Sequence, residues 1–105
     1  METQQNETFG DIINGEKPVL VDFFAEWCGP CKVMKPVLQE LHNTMGDAVR
    51  ILKLDVDKSP ATASAFNISG VPTLILFHKG KIAWRQSGTM TAKQLEQVIR
   101  TNTGK

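Results

Sequence analysis

The seven residues VLVDFFA at 19–25 are apolar on both alternating faces except at Asp22. A strand with one solvated face alternates apolar and polar side chains, whereas a strand covered on both sides is apolar almost throughout. This run therefore predicts a central strand of an α/β sheet, in the middle of the protein.

Helical periodicity marks four further segments. Apolar residues recur at helical spacing over 9–13 and again, in a longer stretch after the two cysteines, as far as Gly46. Ser59 and Pro60 suit the N-cap and first position of a short third helix that ends near residue 66. Thr91, with a glutamine three residues later, forms a capping box for the last helix.

Three more segments have the character of strands, at 49–56, 73–77 and 82–87. The last two flank a turn at 79–81 and so predict an antiparallel hairpin. The first is separated from the 19–25 strand by the long helix, which predicts a βαβ unit. The whole order predicts an α/β fold with a central mixed β-sheet and helices on both faces.

The length and the net charge of the chain exclude several classes of function. The 105 residues predict one domain over 1–105, with 1–7 frayed and 103–105 a flexible tail. Twelve basic against eleven acidic residues leave a net charge of +1, far from the balance of a nucleic-acid binder. No segment is long and apolar enough to span a membrane, and no leader is evident. We therefore expect a cytoplasmic monomer with no nucleic-acid or membrane partner.

The two cysteines, Cys28 and Cys31, follow the central strand where the long helix begins. Ligands of α/β proteins gather at this edge of the sheet, and the spacing permits a disulfide. Cys28 lies nearer the positive end of the helix dipole, which favours the thiolate, so it is the predicted nucleophile. Cys31, deeper and with less solvent, is predicted to stay protonated until it resolves a mixed disulfide.

A purely structural role suits the cysteine pair less well. A structural zinc site needs four ligands, and His42 and His78, expected on the surface, lack the spacing of a second pair. A structural disulfide closing so small a loop would stabilise little. A chance CxxC on a surface helix remains open on spacing alone, although the strand-to-helix position and Trp27 argue against it.

WCGPC at 27–31 after VLVDFFAE, GVPT at 70–73 and Gly88 before the last helix together resemble the thioredoxin family, in its bacterial type. The resemblance implies a thioredoxin fold whose usual first strand is short or absent here, because residues 1–7 are few and polar. Phe24 also stands where many bacterial members carry a second tryptophan. Gly29 and Pro30 between the cysteines are implied to belong to the reducing members.

The resemblance further implies a general protein-disulfide reductant without a bound cofactor. Its reducing equivalents would come from NADPH through a flavin-containing thioredoxin reductase, and its substrates would be disulfide-containing proteins. A non-catalytic binding or chaperone-like module on the same fold is the alternative from another class. An oxidase or isomerase is a third, and Gly29-Pro30 speaks against it.

Asp22 and Lys53 are the candidate residues that support the cysteines. Alternation places Asp22 on the face of Leu20 and Phe24, where burial would favour its protonated form, although a strand-end aspartate turned to water fits the pattern equally well. The resemblance implies that Asp22 accepts the proton of Cys31 through water. It also implies that Lys53 lies near Asp22, whereas the pattern alone allows a solvated lysine on an edge strand.

A shallow apolar platform for the substrate backbone is implied around the cysteines. Pro72 would be trans by frequency alone, but the resemblance implies a cis bond beside the cysteines. Trp27 could otherwise be ordinary packing. The substrate-binding residues implied are Trp27, Gly29, Pro30, Gly70, Val71, Pro72 and Gly88.

Overall fold

A computed structural model describes residues 8–105, in which four strands and four α-helices follow one another in the predicted order. A short 3-10 helix, Gly46–Ala48, follows the long helix. The elements are α1 (Phe9–Ile13), β1 (Val19–Phe24), α2 (Gly29–Met45), β2 (Arg50–Asp55), α3 (Pro60–Ala65), β3 (Thr73–His78), β4 (Lys81–Ser87) and α4 (Ala92–Thr103).

The four strands form one mixed sheet in the order β2-β1-β3-β4. β1 pairs in parallel with β2, as a βαβ unit requires, and antiparallel with β3. β3 and β4 form the predicted antiparallel hairpin. The prediction that residues 19–25 supply a central strand is confirmed, since β1 has neighbours on both edges.

Helices cover both faces of the sheet and enclose two apolar clusters. On one face, Leu20 of β1 packs with Met34 and Leu38 of α2 and Leu95 of α4. On the other face, strand residues meet α1 and the end of α3 around four phenylalanines in mutual edge or tilted contact. These are Phe9, Phe23, Phe66 and Phe77.

Most of the capping and turn residues predicted from the sequence take these positions in the structure. Thr91 and Gln94 form both hydrogen bonds of a capping box at α4. Ser59 is the N-cap residue of α3, but its side chain makes no capping hydrogen bond. At the hairpin turn Lys79 and Gly80 both have positive φ, 55° and 82°, which matches the right-handed twist of the flanking strands.

The chain ends differ slightly from expectation. Thr103, assigned from sequence to a flexible tail at 103–105, is the last residue of α4, and its hydroxyl donates to the carbonyl of Ile99. The predictions of a frayed start and of a short or absent first strand concern residues 1–7, which lie outside the described residues. Within residues 8–105, no helix combines the length and apolarity needed to cross a bilayer.

Candidate active site

The two cysteines lie at the junction of β1 and α2 and are joined in a disulfide, with their Cα atoms 5.3 Å apart. Cys28 is the N-cap residue of α2 in an extended conformation, and Cys31 lies in the first helical turn. The backbone N–H of Cys31 points at Sγ of Cys28, 3.1 Å away. A free N–H aimed at sulfur and the positive helix end both favour a thiolate at Cys28 in the reduced protein.

Solvent exposure does not distinguish the two sulfur-bearing residues. Cys28 and Cys31 are each 3% exposed, so the expectation that Cys31 lies in less solvent than Cys28 is wrong. Both cysteines belong to one buried cluster with Ala25, and the half-buried Phe24, Val56 and Val71 pack against this cluster. The difference between the cysteines comes from position on the helix, with Cys28 at the N-cap.

The segment before β3 lies against Cys28. The carbonyl oxygen of Val71 is 3.6 Å from Sγ of Cys28, and the Val71–Pro72 bond is cis, as the family resemblance implied. The N–H of Gly88 donates to the carbonyl of Pro72 at 2.9 Å, which brings the start of β3 and the end of β4 together. The structure therefore gathers Val71, Pro72 and Gly88 at one place.

The hydroxyl groups of Thr73 and Ser87 hold this segment through hydrogen bonds. The buried Thr73 hydroxyl lies 2.6 Å from the carbonyl of Gly70, which can only accept, so Thr73 is the donor. The hydroxyl of Ser87, 2.9 Å away, then donates to Thr73. Gly70 itself is exposed, as are Gly29 and Pro30 in the first turn of α2.

Trp27 stands beside the cysteines with 72% of its surface exposed, so ordinary core packing does not describe it. Its indole N–H donates to Oδ2 of Asp57 at 2.9 Å. Asp57 was not among the residues singled out from sequence. Asp57 follows the end of β2, which is parallel to β1. Because the carboxyl ends of parallel strands meet at one sheet edge, this position could have indicated that Asp57 lies near Trp27.

Asp22 is fully buried, and neither carboxylate oxygen has a hydrogen-bond partner among the described residues. The interpretation as a solvated strand-end residue is therefore wrong. Desolvation by burial raises the pKa of Asp22 from 3.8 to about 6, against the attraction of Lys53, which lowers it. At neutral pH the carboxyl group is mostly ionised and can accept a proton.

Lys53 satisfies both interpretations made from sequence. It lies directly opposite Asp22 in the register of β1 and β2, and its charge lowers the pKa of Asp22. It is also an exposed residue of an edge strand, with its ammonium nitrogen 4.5 Å from the centre of the Phe24 ring. Lys53 and Cys31 line the same surface cavity.

Comparison with known proteins gives one consistent result. The family model described as Thioredoxin matches residues 1–101. A thioredoxin of Alicyclobacillus acidocaldarius is 47% identical over 94 residues, 90% of each chain. Chloroplastic thioredoxin Y1 of Arabidopsis thaliana is 44% identical over 97 residues, 91% of this chain and 56% of that protein.

The crystal structure of mitochondrial thioredoxin 3 from Saccharomyces cerevisiae, in its oxidized form, superposes with a TM-score of 0.80. It is 35% identical and the match covers 89% of this chain and 86% of that one. The chain spans little more than half the length of the chloroplastic thioredoxins Y1 and Y2, 56% and 58%. The similarity thus extends through sequence and fold across nearly the whole chain.

Proposed function

This chain belongs to the thioredoxin family, and on that premise we propose that it is a protein-disulfide oxidoreductase acting as a dithiol reductant. The observation that carries the proposal is the Cys28–Cys31 pair at the N-terminus of α2. A pair three residues apart in one helical turn can be joined and parted with little backbone movement.

Reduction proceeds in two exchanges. The Cys28 thiolate attacks one sulfur of a substrate disulfide, which forms a mixed disulfide and releases the other substrate sulfur as a thiolate that takes up a proton. Cys31 then loses its proton and attacks Sγ of Cys28. This second exchange releases the remaining substrate thiol and leaves the Cys28–Cys31 disulfide, so two electrons pass from the protein to the substrate.

The proton of Cys31 needs an acceptor in a site from which solvent is largely excluded. Asp22 lies on the sheet face covered by α2, the helix that carries Cys31, and a pKa of about 6 leaves it mostly ionised at pH 7. We assign Asp22 this role, through an intervening water as the family resemblance implies. Lys53, opposite Asp22, lowers the pKa of this carboxyl group and so favours its ionised form.

The substrate backbone is bound by the surface around Cys28. The N-terminal edge of β3 offers the main chain of Val71 to an extended segment, a mode of recognition in which backbone hydrogen bonds supply affinity. Pro72 has no N–H that would compete. Trp27, fixed by Asp57, supplies an exposed aromatic surface beside it.

The partners follow from the same family membership. Disulfide-containing proteins are the proposed substrates, and a thioredoxin reductase with flavin and NADPH is the proposed source of electrons. The chain itself is proposed to act as a monomer in the cytoplasm. Size-exclusion chromatography and fractionation of the source cells test the last two points.

Trapping of intermediates tests the order of attack. Cys31→Ser leaves the nucleophile but not the resolving thiol, so it should accumulate mixed disulfides with substrate on non-reducing gels. Cys28→Ser should accumulate almost none. Equal trapping by both variants would contradict the assignment of Cys28 as the nucleophile.

Insulin reduction separates the enzyme from a non-catalytic binding module. Reduced wild-type protein, recharged by thioredoxin reductase and NADPH, should precipitate the insulin B chain, and the Cys28→Ser variant should not. Activity no greater than that of the variant would favour the binding module.

A further inference from the structure

A surface cavity of about 380 Å³ lies beside the active disulfide on the side of Cys31. Several positive side chains surround it, and we call it the lysine pocket. Its main lining residues are Phe24, Glu26, Cys31, Lys32, Lys35 and Lys53. A water molecule takes about 30 Å³ of liquid, so the pocket has room for an amino-acid side chain with its hydration.

The lysine pocket is lined by more positive than negative side chains. Three lysines and one glutamate, Glu26, line it, and within residues 8–105 none of the three ammonium groups lies within 4.0 Å of a carboxylate. The charge of Lys53 also acts on the buried Asp22, whereas no such partner is found for Lys32 and Lys35 among the described residues. Lys32 and Lys35 are three residues apart on α2 and share one helix face. The pocket therefore offers several free donors for an anionic group.

One of these donors is held in place by an aromatic ring. Lys53 rests over Phe24 with its nitrogen 4.5 Å from the ring centre, a cation–π contact that restricts the long side chain. A restricted donor loses less freedom when it binds an anion. Lys32 and Lys35 line the pocket from α2 and Lys53 lines it from β2, so an anion in the pocket meets charge from two elements.

We propose that the lysine pocket binds an aspartate or glutamate side chain of the substrate protein, close in sequence to the disulfide that is reduced. Cys31 lines the pocket, so a substrate engaged at the cysteines brings its neighbouring residues to this surface. The pocket therefore selects disulfides with acidic neighbours over those with neutral ones. This inference rests on the proposed function and names the substrate class that the site prefers.

The test compares two synthetic peptides, each with one disulfide, that differ only in glutamate or glutamine at the positions flanking the cysteines. Pre-reduced protein is mixed with each peptide, and the second-order rate constant of exchange is measured by acid quench and chromatography. The wild type should reduce the glutamate peptide about two- to fivefold faster, the range of one or two partly exposed ion pairs. In about 1 M salt the preference should disappear.

Two variants should change the preference in opposite directions. Lys35→Gln removes a donor and should lower the ratio of the two rate constants towards one. Glu26→Gln removes the opposing carboxylate and should raise the ratio. Lys17→Gln is the matched control, because Lys17 is exposed and precedes β1 at the end opposite the cysteines, so its loss changes the net charge equally but should leave the ratio unchanged.

The outcomes distinguish this inference from the proposed function. Reduction of both peptides at equal rates, or an equal change of the ratio by Lys17→Gln and Lys35→Gln, would overturn the pocket while the reductase stands. Failure of the wild type to reduce either peptide would overturn the reductase. In that case, binding of the two peptides to the oxidised protein, measured by calorimetry, tests the pocket separately. The proposal requires that the glutamate peptide bind more tightly than the glutamine peptide, and that Lys35→Gln abolish this difference.

Discussion

Replacing Asp22 by asparagine should make the stability relative to wild type increase as the pH rises. The side chain is fully buried without a hydrogen-bond partner among the described residues, so its ionised form is held in an environment that resists charge. Asparagine keeps the shape and cannot ionise. Any fixed cost of burying its amide is the same at every pH, so only the pH dependence reports on the carboxylate.

The magnitude follows from the two pKa values of Asp22. Burial raises its pKa from 3.8 to about 6 in the folded protein, and each pH unit between them is worth about 1.4 kcal/mol, which gives about 3 kcal/mol. Since the folded pKa is the higher one, the folded state binds this proton more tightly. The stability tied to the proton is complete below pH 3.8 and is lost as the pH rises through about 6.

The assay is denaturant unfolding of the oxidised protein from pH 4 to pH 8, where the disulfide keeps the cysteines from titrating. The free energy of unfolding of Asp22→Asn minus that of the wild type should rise by about 2.4 kcal/mol across this range, because at pH 4 part of the unfolded state is already ionised. Glu40→Gln, on the exposed side of α2, is the control and should give a flat difference. A flat difference for Asp22→Asn as well, or one that falls as the pH rises, would refute the reasoning.

Three further predictions rest on single contacts. Lys53→Met removes the charge that lowers the pKa of Asp22, so the variant should lose stability at a higher pH than the wild type does. An unchanged pH profile of stability would contradict the interaction between Lys53 and Asp22. Asp57→Ala removes the acceptor of the Trp27 indole N–H and should raise KM for insulin about two- to fivefold with little change in kcat; an unchanged KM would show that the contact does not position the indole. Thr91→Ala breaks the capping box of α4 and should cost about 1 kcal/mol in urea unfolding, whereas no loss would mean that water replaces the cap.

The fold was predictable because its local patterns agree with its tertiary environment. β1 is apolar on both faces in the sequence and is buried on both faces in the structure. The capping residues of α4 make their hydrogen bonds within one turn, so no distant partner decides them. The predicted end of β2 was less accurate, because the strand ends at Asp55, one residue before the apolar pattern ends. The Asp55 side chain accepts hydrogen bonds from the N–H groups of Asp57 and Lys58 and turns the chain there.

The site was predictable only where its residues lie close together in the sequence. The pair Cys28 and Cys31 carries its spacing and helix position in five consecutive residues. The hydrogen bond between Trp27 and Asp57 joins residues 30 apart, and no local pattern indicates it. The cluster that contains the two cysteines is likewise covered in part by Val71, which comes from a distant segment.

The two faces of the sheet contribute differently to the chemistry. The face under α1 and α3 is packed by phenylalanines, whereas the face under α2 contains Asp22. On that face, the apolar packing that fixes α2 also excludes water from the carboxylate, and this burial raises the pKa of Asp22. A cavity under α2, as in Leu38→Ala, should therefore alter the pH profile of exchange together with stability. A cavity on the opposite face, as in Ile75→Val, should alter stability alone.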